Sequence, residues 1–189
     1  PYIGTIVRTG ENKAYGIEAD IAKNGKKISG SLSYSYSRVI SEILGINDGK
    51  PYPALWDMPH DLRINLSWQI KKRFSVSANW VYNTGKPITF PVGFYLHDRT
   101  PIPIYPDRNS QRVPDYHRLD VGLKLDFKPN KLFSKSSFTF GIYNAYLQKN
   151  VLSYRYSDYP WQNDGKTYVG VENSVFLFAV PSLSFKFVI

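Results

Sequence analysis

The chain has no cysteine, a single methionine and three histidines among 189 residues. Without cysteine there is no disulfide framework of the kind that staples many secreted domains, and no thiolate for catalysis or metal capture. No stretch approaches the ~20 consecutive apolar residues that a membrane helix needs. The longest, residues 175–180, stops at Pro181. Residues 1–20 lack an apolar core behind a basic start, so no export leader is legible there. Carboxylates are outnumbered, 15 against 24 Lys and Arg, for a formal net charge of +9. The cations are spread over turns and loops with no basic stripe or helix, which argues against nucleic acid as a partner. A solvated surface is the plain reading of that charge; anionic lipid headgroups or an anionic partner are the functional ones. No Gly-x-Ser-x-Gly element and no phosphate loop is present, so no enzyme activity is expected.

What the chain does have is period-two alternation. In the last segment Leu183, Phe185, Phe187 and Ile189 alternate with Ser184 and Lys186, which makes one face apolar and the other polar. The same pattern runs through 14–23, 27–40, 57–71, 74–84, 115–127 and 136–148. Its clearest instance sets Leu62, Ile64, Leu66, Trp68 and Ile70 against Asp61, Arg63, Asn65, Ser67 and Gln69. These segments reach the ~9–11 residues of a membrane-spanning strand. Mean hydropathy is only −0.34, as expected where alternate residues alone face lipid. Aromatics make up 16% of the chain, with 15 Tyr and 11 Phe, matching a sheet with aromatic girdles. The serines of 31–37 suit a crowded or wet interior rather than a sandwich core.

Connections alternate in length. Short ones lie near Asn24-Gly25 (a hairpin signal), at Lys71-Lys72-Arg73 and at 128–135; long ones cover 41–56, 85–114 and 149–172. Bacterial outer-membrane barrels show this asymmetry, with short periplasmic turns and long extracellular loops. The sequence therefore predicts an all-β, antiparallel transmembrane β-barrel segment of about seven strands. The C-terminus would be periplasmic. Since an open sheet cannot sit in lipid, the whole of 1–189 is expected to be the C-terminal part of a larger barrel domain, as a fragment or a processed product. The register is expected to blur at Tyr143-Asn144-Ala145-Tyr146, as a bulge would cause.

Several stretches resemble the C-terminal barrel region of TonB-dependent outer-membrane receptors of the Bacteroidetes type. They are Ser33-Tyr34-Ser35-Tyr36-Ser37-Arg38-Val39; Tyr52-Pro53-Ala54 with Asp57 and His60-Asp61-Leu62; the run from Trp80 through Asn83-Thr84-Gly85-Lys86-Pro87 to Thr89; Arg108-Asn109 with Arg112-Val113-Pro114-Asp115-Tyr116-His117-Arg118-Leu119-Asp120; and Ile142-Tyr143-Asn144-Ala145-Tyr146. The resemblance implies a plugged barrel of about twenty-two strands, of which this chain would be the last third. It implies import of a nutrient solute such as a glycan, peptide or metal chelate across the cell outer membrane. The implied partners are outer-membrane lipid, the remainder of the barrel and its plug, the TonB system through an N-terminal region, and a surface lipoprotein lid. The TonB box and plug of the family are not in this sequence, and Ile189 stands where such barrels commonly end on an aromatic.

Candidate ligand-binding residues are the loop aromatics Tyr52, Trp56, Phe94, Tyr95, Tyr105, Tyr159 and Trp161, because sugars and peptides stack on exposed rings. Arg63, Arg118, Asp120 and Lys124 are expected to face the lumen, either as a salt-bridged network or as a solute-contacting lining. No cofactor is expected. His60-Asp61, His97-Asp98 and His117 show no metal-ligand spacing, and His60 and His117 read as strand starts at the extracellular rim. Two other roles fit the same fold: a structural or assembly subunit that keeps the receptor barrel without import, and a small outer-membrane enzyme or adhesin barrel.

Overall fold

The computed structural model describes residues 8–98, 100–159, 168–176 and 178–189. The described residues are all-β, with one 3-10 turn at Asn47–Gly49 and no α-helix. Among the described residues no helix is long and apolar enough to cross a membrane. Seven long strands make one antiparallel sheet: β1 (Gly10–Lys23), β2 (Ile28–Ile43), β4 (His60–Lys71), β5 (Phe74–Asn83), β10 (Tyr116–Asp126), β11 (Lys135–Tyr143) and β14 (Val180–Val188). They lie in the order β1-β2-β4-β5-β10-β11-β14, so each long strand is bonded to the next one in the chain. Short β3 (Tyr52–Pro53) pairs with the end of β2. Among the described residues the sheet is open, with β1 at one edge and β14 at the other.

Register turns the alternation of each strand into two continuous faces, because directly paired residues project to the same side. One row across the sheet reads Ile28, Trp68, Val76, Leu123, Phe140, Leu183. Another reads Ile21, Leu32, Ile64, Trp80, Leu119. The opposite face carries Asp20, Ser33, Arg63 and Arg118 in one row, interrupted by Val81, and Ser29, Ser67, Ser77, Gly122, Gly141 and Ser182 in another. The apolar face has an aromatic border at each end. At the loop end Tyr34 and Tyr36 lie against His60, and Trp80 stacks beside Tyr82. At the turn end Phe127, Phe133, Phe185 and Phe187 form a cluster with ring centroids 5.0–6.3 Å apart.

Four expectations are corrected. The segment 85–114 is not a plain loop: β6 (Pro87–Ile88) pairs with β9 (Gln111–Arg112), and between them β7 (Gly93–His97) and β8 (Thr100–Ile104) form a hairpin. Pro101 and Pro103 are tolerated because they are two residues apart, and a two-stranded ladder leaves every second N–H unbonded. Nor is 149–172 a loop, since β12 (Asn150–Tyr159) pairs with β13 (Tyr168–Phe176). The closing strand of the main sheet starts only at Val180, and Val175 and Phe176 belong to β13. At Tyr143 there is no bulge: β11 ends, because Asn144 turns the chain at φ 55°, a left-handed conformation that Asn tolerates. The hairpin at Asn24-Gly25 does form, through a wider connection in which Lys23 pairs with Gly30.

Gly85 lies where the backbone after β5 passes against the segment before β10. A Cβ there would overlap the Val113 carbonyl oxygen. Gly85→Ala is expected to lower stability by about 1–3 kcal/mol through this backbone clash. Hydrogen exchange should speed up at Val113 and Gly85 while the amides of β4 and β5 keep their protection.

Candidate functional site

The loop end of the polar face holds two neighbouring recesses, with volumes of about 350 and 620 Å³. Met58, Asp61 and Arg63 line both. Trp56, Ser33 and Ser35 wall one side; Leu55, Pro87, Val113 and Tyr116 wall the other. Asp61 and Arg63 are two residues apart on β4 and so share a face. Arg63 donates from Nε and Nη2 to the two Asp61 carboxylate oxygens, each at 3.0 Å. Its side chain stays 63% exposed, so the guanidinium can meet solute while its charge is balanced.

Above the recess, one buried carboxylate fastens the loops. Asp57 is 0% exposed. Its Oδ1 accepts from the Val39 backbone N–H at 2.7 Å and from Arg38 Nε at 3.2 Å, and its Oδ2 is paired with Arg112 Nη2. Arg112 Nη1 also donates to the carbonyls of Asp57 and Gly85, at 2.7 and 2.9 Å. The planar fork of Arg is needed here, because one side chain serves three acceptors on two segments. Asn109, at φ 57°, donates from its backbone to Thr89 Oγ1 and from Nδ2 to the Pro53 carbonyl, both at 2.8 Å. The Asn47 side chain exchanges two hydrogen bonds with the backbone of Arg108. The connection 44–59 and the connection 84–115 are thereby one fastened unit.

At the foot of that unit Asp115 accepts from the Tyr82 hydroxyl at 2.6 Å and from the Gly85 N–H at 2.8 Å. The Tyr82 hydrogen bond above all, then Gly85 and the nearby Arg112 and His117 charges, outweigh partial burial and hold the Asp115 carboxyl below its ordinary range.

The residues singled out from sequence fall into distinct settings. Arg63, Arg118, Asp120 and Lys124 do share the polar face. They make pairs within single strands, Arg63–Asp61, Arg118–Asp120 and Lys124–Asp126, rather than one network. Arg118 is fully engaged: it bonds Asp120 bidentately and the Tyr116 hydroxyl at 2.7 Å, and its Cζ sits 3.9 Å from the Tyr143 ring centroid. Trp56 is 60% exposed on the recess wall. Tyr52 departs from expectation, since it is buried at the base of the loops, with 6% exposure, and offers no ring for stacking. Phe94, Tyr95 and Tyr105 are exposed on and beside the β7–β8 hairpin and do not line the recess. Tyr159 ends β12, where only the backbone is described, and Trp161 lies outside the described residues. His60 Nδ1 is 2.8 Å from the Tyr34 hydroxyl, and His117 Nδ1 is 2.8 Å from that of Tyr146. Among the described residues, no group of three His, Asp or Glu is arranged to hold a metal.

Asp57, Arg38, Arg112 and Asn109 carry no catalytic or ligand-binding motif in the sequence that would mark their part in this clasp. The available signal was Asp57, Asn109 and Arg112 inside Pro-rich segments, where solvated loops need no charged or amide residue in a fixed position; Arg38 lies within β2. No protein-family model, curated protein or solved structure matches the chain.

Asp57→Asn keeps the shape of the clasp and removes the charge that two arginines share, so a loss of about 3 kcal/mol is expected. Proteolysis within 44–59 and 84–115 should rise, and Arg112→Lys should not restore protection. A second outcome concerns pH. A carboxyl held low in the folded state stabilises above its unfolded value, and that contribution disappears as pH falls through the folded value. The Asp115 contact should thus add to the hold on the loops at neutral pH and be lost in acid, with the same proteolysis as readout and Asp115→Asn reducing the pH dependence.

Proposed function

We propose that this sheet is part of the wall of an outer-membrane β-barrel of the TonB-dependent receptor type, which imports a nutrient solute. The observation that carries the reading is the pair of faces. An apolar face bordered by aromatic rows runs across the seven strands, and the reverse face is built from Ser, Gly, Asn and charged residues. In water such an apolar face would need a second layer to cover it. In a membrane barrel lipid covers it, with the aromatics at the two interfaces and the polar face toward the lumen. Strands β4 and β10, with 12 and 11 residues, suit a tilted crossing of ~9–11 residues.

The unpaired edges of β1 and β14 support a barrel completed by further strands, because lipid cannot satisfy open backbone groups. In this reading the short turns are periplasmic and the long connections extracellular. The barrel has about twenty-two strands around a plug, the TonB system couples through an N-terminal region, and a surface lipoprotein lid covers the loops. The recess beneath the fastened loops, with the Trp56 ring and the Arg63 guanidinium, is the solute-contacting part of this segment.

Register and import are tested separately. Leu66→Arg puts a charge on the lipid face, at a cost of about 2–4 kcal/mol near mid-bilayer. It should impair insertion far more than Ser67→Arg on the opposite face, and equal effects on membrane level would overturn the topology. Deleting residues 93–104 removes the β7–β8 hairpin without touching the main sheet. Trp56→Ala together with Arg63→Gln alters the recess. Both variants should lower whole-cell uptake of candidate solutes at unchanged surface level; unchanged uptake would favour a structural subunit.

A further inference from the structure

The three short connections of the main sheet are the segments 23–27, 71–73 and 127–135, all at one end. They contain Lys23, Lys26, Lys27, Lys71, Lys72, Arg73, Lys128, Lys131 and Lys135, and no Asp or Glu. These nine cations equal the formal net charge of +9, so the remaining 15 Lys and Arg and all 15 carboxylates cancel. The loop end mixes both signs, as at Asp48 and Lys50 or Asp107 and Arg108. All nine turn cations are exposed and, among the described residues, none is in an ion pair. The carboxylate nearest to these turns in the sheet, Asp126, is 2.8 Å from Lys124 and so is already matched.

A second feature coincides with the charge. The Phe127, Phe133, Phe185 and Phe187 cluster borders the apolar face at this same end. Lys23 pairs with Gly30 and Gly30 with Leu66, which puts Lys23 on the apolar side of β1 next to the turn. A lysine there extends its stem along apolar surface and leaves its ammonium at the border.

We infer that the short-turn end of the sheet is a binding surface for anionic phospholipid headgroups in the periplasmic leaflet. This inference rests on the membrane reading above. Exposed, unpaired cations at an aromatic border meet phosphate charge at the depth where headgroups lie. Three turns spread over six strands can engage several lipids at once. The attraction is long-ranged only at low ionic strength, so salt should screen it.

The test uses the purified protein in nanodiscs of phosphatidylcholine with a minor fraction of phosphatidylglycerol, and counts the lipids retained after detergent transfer. The protein should enrich phosphatidylglycerol over phosphatidylcholine by about tenfold at low salt, with the preference lost at 1 M salt. Replacing all nine cations by Gln should abolish the enrichment, and K71Q/K72Q/R73Q alone should reduce it in part. Quenching of Trp68 and Trp80 by brominated phosphatidylcholine reports insertion independently of headgroup charge. Quenching without enrichment, or enrichment that survives the nine substitutions, overturns the inference and leaves the membrane reading intact. Absence of quenching by any brominated lipid overturns both. If the nine substitutions instead abolish binding of soluble polyglutamate while lipid preference was never present, the rim is a docking surface for an acidic protein and the lipid inference is wrong.

Discussion

The main-sheet structure depends on a single chain of backbone registers. Each long strand is bonded to its sequence neighbour, so the pairing of β1 with β2 is tied through β4, β5, β10 and β11 to β14. Side chains alternate strictly along each strand, so slipping any one register by a single residue would move its apolar set to the polar face. The observed registers bring Trp68 opposite Val76 and Ser67 opposite Ser77. The same phase holds on to Phe140 opposite Leu183 and Gly141 opposite Ser182. Small residues on the polar face also let these strands pack without crowding: a Cβ at Gly122 or Gly141 would meet a facing serine hydroxyl.

Where the ladder stops, polar side chains take over its hydrogen bonds. Buried backbone groups need partners even where no strand supplies them. Asn150 gives its side-chain amide to the His117 carbonyl and accepts from the His117 N–H, standing in for a strand neighbour. Asn144 does the same for Gln148 across the turn that ends β11. At the loop end, Asp57 accepts from Val39 and both arginines. Thr84 and His60 bond each other through backbone and side chain where β4 begins and β5 ends. The loop end is thus held by specific, directional contacts between neutralised charges. Among the described residues the turn end has no comparable network and carries the unbalanced cations, which divides the sheet into a fastened end and an electrostatically open one.

Much of the main sheet was legible because period two is a local property. Each of the seven long strands was visible from its own alternation, and so was the contrast between short and long connections. The strands within the long connections were not read, although Leu152, Tyr154 and Tyr156 alternate with Ser153, Arg155 and Ser157. Strands as short as Pro87–Ile88 and Gln111–Arg112 carry too few residues for a period to register; only their mutual pairing defines them. Of the candidate residues, Arg63 and Trp56 line the same recess. Tyr52 looked like an exposed loop aromatic and proved buried, since composition cannot tell a loop tip from a loop base.

The strand class, the two-faced character of each strand and the sign of the charge at the short turns are each encoded within a few adjacent residues, so they follow from local pattern alone. The meeting of residues 55 positions apart, as of Asp57 and Arg112, the exposure of particular aromatic rings and the pairing of polar-face charges within strands emerge only in the folded chain. Those outcomes depend on how distant segments approach in three dimensions, and no local pattern specifies that approach.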